Sequence, residues 1–206
     1  MANIIFDFDG TIADSLPIVV SMINNWMPKR GPINNEELQE LRNLPIHKVL
    51  ERLEIGPWRA PQLLIQGRLE MSRHIDEIPV VAGIPEAIEE IHKAGHAMYI
   101  MSSNSPKNIR YFLKKHGLHD YFKRVYGGVG IFGKASALRK VLGGNRLNSD
   151  HTYYVGDEVR DIHAAHKAKV KVVAVTWGYN GAKILASERP TEIANKPADL
   201  INLLSK

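Results

Sequence analysis

Apolar and polar positions along the chain follow two alternating periods. Asn3–Phe6 is a short apolar run that stops abruptly at charge, the pattern of a buried strand. Pro17 stands in the first turn of IVVSMINNWM, where its missing N–H costs no hydrogen bond, and a helix is predicted there. From Gly31 to about Val81 the periodicity is helical throughout. Asn35 is placed to cap EELQELRN, Pro45 opens IHKVLERLEI, and Pro61 opens QLLIQGRLEMSRHIDEI. Alternation of strand and helix then returns. Pro85 starts EAIEEIHKAG, which Gly95 stops; His96–Met101 is a strand; Pro106 opens KNIRYFLKKHG. A short strand near Arg124–Tyr126 precedes glycines and the helix KASALRKVL. His151–Val155 is a strand, EVRDIHAAHKA a helix, Lys171–Thr176 a near-continuous apolar strand, and ADLINLLS a final helix.

Apolar strands separated by helices imply a parallel sheet covered on both faces, an α/β protein with a Rossmann-like core. The helical stretch between the first and second strands is an insert. It divides the chain into a core of residues 1–14 and 82–206 and a small α-helical unit of residues 15–81. In such sheets ligands bind beyond the carboxyl ends of the strands. Those ends carry Asp7 and Asp9, then Ser102, then Asp157, with Lys134 at a loop-to-helix start between the last two.

Composition narrows the field. The chain has 206 residues, 44% of them hydrophobic, enough for one large domain or a core with an insert. Its net charge of +5 is spread through short runs such as Lys114-Lys115, not the dense stripe of a nucleic-acid footprint. With no cysteine there are no disulfides, thiolate metal sites or Cys nucleophiles, which fits a reducing compartment. No apolar run reaches the roughly 18 residues of a membrane span, and the first residues lack the basic region of a signal peptide. The expectation is a cytoplasmic monomer or homodimer with no membrane and no nucleic-acid partner.

Candidate chemistry gathers at the strand ends. Asp7 and Asp9, two apart on an extended strand, point the same way and repel; a divalent cation or a shared proton relieves that. Ser102-Ser103-Asn104-Ser105, ahead of a Pro-opened helix, offers hydroxyls and helix N-terminal N–H groups to an anion. Lys134 near a helix start opposes the macrodipole, which suits a cation held against phosphate or carboxylate oxygens. Asp157 and Asp161, four apart at a helix start, share one side. Two other patterns are set aside. The stretch 128–134 spells GxxxxGK, but Ala135 stands where a phosphate loop needs Ser or Thr. His92/His96 and His163/His166 have chelating spacings but no third ligand, amid Lys and Glu.

Asp7-Phe8-Asp9-Gly10-Thr11 resembles the first motif of the haloacid dehalogenase superfamily. Ser102 is similar to its second motif, Lys134 to its third, and Gly156-Asp157 with Asp161 to its fourth, in the expected order and nearly spanning the chain. The helical insert resembles the C1-type cap of the phosphoglycolate phosphatase-like branch, as does VAVTWGYN around Trp177-Gly178-Tyr179. The resemblance implies a Mg²⁺-dependent phosphatase for a small phosphorylated metabolite, of phosphoglycolate or sugar phosphate type. Asp7 would be the nucleophile forming an aspartyl-phosphate, and Asp9 the general acid/base. Mg²⁺ would be held by Asp7, the Asp9 carbonyl and Asp157, with Asp161 supporting the site from behind. Thr11, Ser102, Ser103, Asn104 and Lys134 would bind phosphate.

Chemistry adds one expectation: to donate a proton near neutral pH, Asp9 should have a pKa above the ordinary ~3.9. The dehalogenases of the superfamily lack the second Asp of the first motif, so Asp9 favours phosphoryl transfer. Ala168-Lys169-Val170 departs from the Ala-Gly-Ile usual in the branch, at a helix stop. In the insert, Arg42-Asn43-Leu44 lies where relatives often carry a Gly-containing substrate loop. Arg42, His47 and Arg59 are candidates to contact an anionic substrate tail. The nearest alternative is a phosphomutase of the β-phosphoglucomutase type. A receiver-like phospho-acceptor signalling module uses similar groups, but is shorter and lacks a helical insert after its first strand.

Overall fold

The computed structural model describes residues 1–56, 58–130 and 133–204. Ile131 and Phe132 of the GxxxxGK stretch, and Ser205-Lys206 at the end of the core segment, lie outside the described residues. In chain order the elements are β1 (Asn3–Phe6), α1 (Leu16–Trp26), α2 (Asn35–Arg42), α3 (Ile46–Arg52), α4 (Ala60–Arg73), α5 (Ile84–Lys93), β2 (Ala97–Met101), α6 (Pro106–Lys115), β3 (Phe122–Tyr126), α7 (Lys134–Asn145), β4 (Thr152–Gly156), α8 (Val159–Ala168), β5 (Lys171–Val175), α9 (Ala182–Ser187), β6 (Glu192–Ala194) and α10 (Asp199–Leu204). No helix among the described residues is long and apolar enough to cross a membrane.

The six strands form one parallel sheet in the order β3-β2-β1-β4-β5-β6. Alternation along each strand sends side chains to two separate cores. On one face, Ile4, Phe6, Met98, Ile100, Val155 and Val173 pack with α5, α6 and α10. On the other, Ile5, Tyr99, Met101, Tyr154 and Val172 meet α7, α8 and α9. Phe8 continues the even-numbered series into the first core, where its ring meets Phe112 edge-on at 5.1 Å. Phe6 is level with Ile100 of β2 and with Val155 of β4. Asp7, Ser102 and Asp157 therefore emerge together beyond the carboxyl ends of three adjacent central strands.

Helices α1 to α4 lie between β1 and α5, in the stretch expected as an insert. Ile33, Leu41 and Leu53 centre a small core of its own, with Val20, Ile23 and Val49 packed around them. The chain enters and leaves the insert side by side: Asp14 N donates to Pro79 O (2.9 Å) and Val81 N to Ile12 O (2.9 Å). Insert and core share apolar contacts through Met22, Met71 and Ile75.

Three expectations need correction. The cap of α2 is Asn34, not Asn35: Asn34 is extended and its side chain accepts from Glu37 N (2.9 Å). Helix α4 stops at Arg73, and the stretch as far as Ile78 turns back toward the core to bury Ile75 and Ile78. Beyond β5 the sequence suggested one helix, but the chain forms α9 and the three-residue edge strand β6 before α10. Segments this short carry too few residues for a periodic signal.

Candidate active site

Asp7 leaves the sheet as a buried residue, its N–H donating to Val155 O (2.8 Å) and its Oδ1 accepting from Phe8 N (2.8 Å). Lys134, the first residue of α7, is equally buried and donates to Asp7 Oδ2 at 2.5 Å. The same ammonium is ion-paired with Asp161 of α8. Asp161 is there because it belongs to a capping box: its Oδ2 accepts from Glu158 N (3.0 Å), closing the start of α8. Gly156 makes room for it, since a Cβ at Gly156 would lie 2.5 Å from Asp161 Oδ2.

Asp157 is fully buried. Its Oδ1 accepts from the Thr11 hydroxyl (2.9 Å) and its Oδ2 from Tyr179 N (2.7 Å). Its carboxylate is wedged between two glycines: a Cβ at Gly10 would stand 2.3 Å from Oδ2, and one at Gly178 only 2.2 Å. Gly10 also has φ +75°, a left-handed conformation that side chains resist. The motif glycine is thus required twice over.

Asp9 faces the other side. The Asn104 side-chain amide donates to both of its oxygens, at 3.1 and 3.3 Å. The buried Ser102 hydroxyl accepts from Asn104 N (3.0 Å), so Ser102 and Asn104 form one turn below α6. Ser103 sits half-buried in that turn.

Thr11 is fully enclosed with its hydroxyl committed to Asp157. Arg42 reaches the core rather than open space: Nη2 donates to Thr176 O (2.7 Å) and Nε to Gly178 O (3.0 Å). His47 and Arg59 are exposed on the insert, Arg59 as the residue preceding α4.

The electrostatics follow from burying so many acids together. Burial, then the neighbouring Asp7, pushes Asp9 up to about 7 despite the Asn104 hydrogen bonds, as proton donation near neutrality requires. Burial raises Asp157 well above the usual carboxylate range, with Glu158, Asp161 and Asp7 adding to it. Burial pushes Asp161 up to about 6, with Lys134 opposing. Burial alone would depress the Lys134 ammonium, but Asp161 and Asp7 outweigh it and hold it above its ordinary value.

Asp7, Asp9, Asp157, Glu158 and Asp161 thus crowd around two cations, Lys134 and Arg160. A hard divalent cation with oxygen ligands fits such an excess of carboxylates. Asp7, Glu158 and Asp161 each bring one carboxylate oxygen within 4.8 Å of the others. Sequence reasoning gave Glu158 no role. The signal was its place beside Asp157 in the acidic run Asp157–Asp161. Arg160, ion-paired with Glu158, was missed for the same reason. The histidine pairs have other uses: His96 accepts from Ala2 N (3.1 Å) and His163 contacts Glu188 (2.7 Å).

Known proteins resemble this chain over most of its length. Residues 4–175 match the family model of haloacid dehalogenase-like hydrolases. A phosphoglycolate phosphatase of Synechococcus elongatus is 32% identical over 208 residues, covering 100% of this chain and 98% of that protein. A haloacid dehalogenase-like hydrolase from Streptococcus pneumoniae superposes with TM-score 0.77 at 20% identity, covering 98% of each chain. The protein tyrosine kinase A of Mycobacterium tuberculosis does so with TM-score 0.78 at 22% identity, covering 100% of this chain and 99% of that one. These two structural likenesses concern the fold alone. The family match over most of the sequence and the full-length relative establish that the chain belongs to the haloacid dehalogenase-like hydrolase family, within which it is a phosphatase.

Proposed function

We propose that the protein hydrolyses a small phosphorylated metabolite, of phosphoglycolate or sugar phosphate type, through an aspartyl-phosphate on Asp7. The observation that carries this reading is the contrast between its two motif carboxylates. Asp7 is ion-paired with Lys134, whereas Asp9 is pushed up to about 7 and has a neutral amide as its partner. That contrast suits a nucleophile and a proton donor.

An Asp7 oxygen forms a bond to phosphorus as the ester P–O bond breaks, and Asp9 gives its proton to the departing oxygen. Asp9, now ionised, takes a proton from water as that water attacks phosphorus and the Asp7–phosphorus bond breaks. Lys134 and the Ser102 turn hold the transferred group, where charge builds on its equatorial oxygens. Mg²⁺, held by Asp7, the Asp9 carbonyl and Asp157, would offset the charge between phosphate and carboxylate when bound. Helices α1 to α4 act as a cap that closes over the site and excludes bulk water. The identity of the Synechococcus relative supports phosphoglycolate as the first substrate to try.

The test is phosphate release from phosphoglycolate and from hexose phosphates, with Mg²⁺ and with a chelator. Mg²⁺-dependent release from at least one is expected. Isomerised hexose phosphate without net release would instead identify a mutase.

A further inference from the structure

Arg42 closes α2 at the edge of the insert, yet its side chain is bound to the core. Its Nη2 and Nε donate to the carbonyls of Thr176 (2.7 Å) and Gly178 (3.0 Å), while Nη1 turns back to Gln39 Oε1 (3.2 Å). Its own carbonyl accepts from Gly181 N (2.8 Å) and the Asn180 side chain (3.4 Å). The next residue, Asn43, fills the space above Gly181, where a Cβ would meet its Oδ1 at 2.6 Å. Arg42 therefore grips the loop after β5 from both ends.

The other side of that loop is bound to Asp157. Tyr179 N donates to Asp157 Oδ2 (2.7 Å), Asn180 N to Asp157 O (3.2 Å), and Gly178 lies against the carboxylate. Asn180 Oδ1 also accepts from Val159 N (2.9 Å), the first residue of α8. Residues 176–181 are thus a single strap between an insert arginine and the buried acid. Guanidinium suits this task because its planar fork meets two fixed carbonyls at once, which an ammonium cannot reproduce.

We propose that Arg42 is a positioning residue, which by docking the insert on the 176–181 loop sets the orientation of Asp157 for its ligand. Docking of the insert and loading of Asp157 are then coupled, and the coupling runs both ways. This inference rests on the reading of Asp157 as a Mg²⁺ ligand, and it gives Arg42 a role other than contact with a substrate tail.

The test compares wild type, Arg42→Ala and Arg42→Lys by amide hydrogen exchange over residues 176–181 and by calorimetric titration with Mg²⁺ alone. In the wild type, Mg²⁺ should slow exchange at Tyr179 and Gly181. Arg42→Ala should speed that exchange without Mg²⁺ and weaken Mg²⁺ binding roughly 10–100-fold, the usual effect of losing a group that supports a metal ligand. Arg42→Lys should restore only part of both. Unchanged loop exchange in Arg42→Ala would overturn the proposal, as would a raised KM with loop exchange and Mg²⁺ affinity intact. If the wild type binds no Mg²⁺, the metal reading fails on its own, and loop exchange still decides whether Arg42 holds the strap.

Discussion

The side-chain amide of Asn104 reaches both carboxylate oxygens of Asp9, at 3.1 Å to Oδ1 and 3.3 Å to Oδ2. Its own Oδ1 accepts from Ser105 N (2.8 Å) and Asn108 Nδ2 (3.1 Å), and Asn108 also donates to Ser72 of the insert (2.6 Å). Asn104 is therefore oriented by its neighbours and holds Asp9. Removing a hydrogen bond to a charged group costs about 1.5–3 kcal/mol. Asn104→Ala should lower kcat by roughly 10–100-fold with little change in KM. Steady-state kinetics decide the matter: a large rise in KM at constant kcat would mean that Asn104 acts only in holding phosphate and does not position Asp9.

Lys134 stands between Asp7 and Asp161, all three buried. Lys134→Met leaves two carboxylates facing each other without their cation. Breaking a buried pair in this way costs about 3–5 kcal/mol. Urea denaturation should show a loss of that size at neutral pH; stability equal to wild type would show that the ammonium is dispensable to the fold.

The core was legible because its signals are periodic and its strand ends are punctuated by charge. Asp7, Ser102 and Asp157 were found from topology alone, since a parallel sheet delivers the carboxyl ends of its strands to one side. What sequence could not give is which partner each side chain takes. Thr11 serves Asp157, Asn104 serves Asp9, and Arg42 serves two carbonyls on the loop after β5. Those pairings span up to 146 residues and depend on how loops fold back, which no local pattern encodes. Edge strand β6 and helix α9 were missed because they are held by packing on β5 and α8 rather than by their own propensity.

Lys169 ends α8 with φ +57°, in the left-handed conformation that glycine adopts freely. A side chain there costs roughly 1–2 kcal/mol. The branch that the sequence resembles usually carries Gly here, where this chain has Lys. Lys169→Gly should therefore stabilise the protein by about 1 kcal/mol, the remainder being offset by the greater freedom of glycine in the unfolded chain. Thermal or urea unfolding will show it; a loss of stability would mean that the Lys169 side chain contributes contacts worth more than its strain.

His116 packs against Phe112 with ring centroids 4.4 Å apart, and its Nε2 is buried without a hydrogen-bond partner among the described residues. Burial, with Lys115 beside it, holds the imidazole below its ordinary value, and a backbone contact at Ile78 opposes this. A histidine lowered in the fold binds its proton better in the unfolded chain. Its effect is absent at neutral pH and above, and it removes stability as pH falls below about 6.5. Comparing urea midpoints at about pH 7.5 and about pH 5, His116→Leu should lose less stability on acidification than wild type. An equal loss in both would rule His116 out as a source of acid sensitivity.

The most direct test of the proposed chemistry is the mass of the Asp7 peptide after acid quenching during turnover with Mg²⁺ and a phosphorylated substrate. The expected result is a gain of one phosphoryl group on Asp7 that disappears once substrate is exhausted, with neither the adduct nor phosphate release in Asp7→Asn. Phosphate release from Asp7→Asn at a rate near wild type, or an adduct on a different residue, would contradict it.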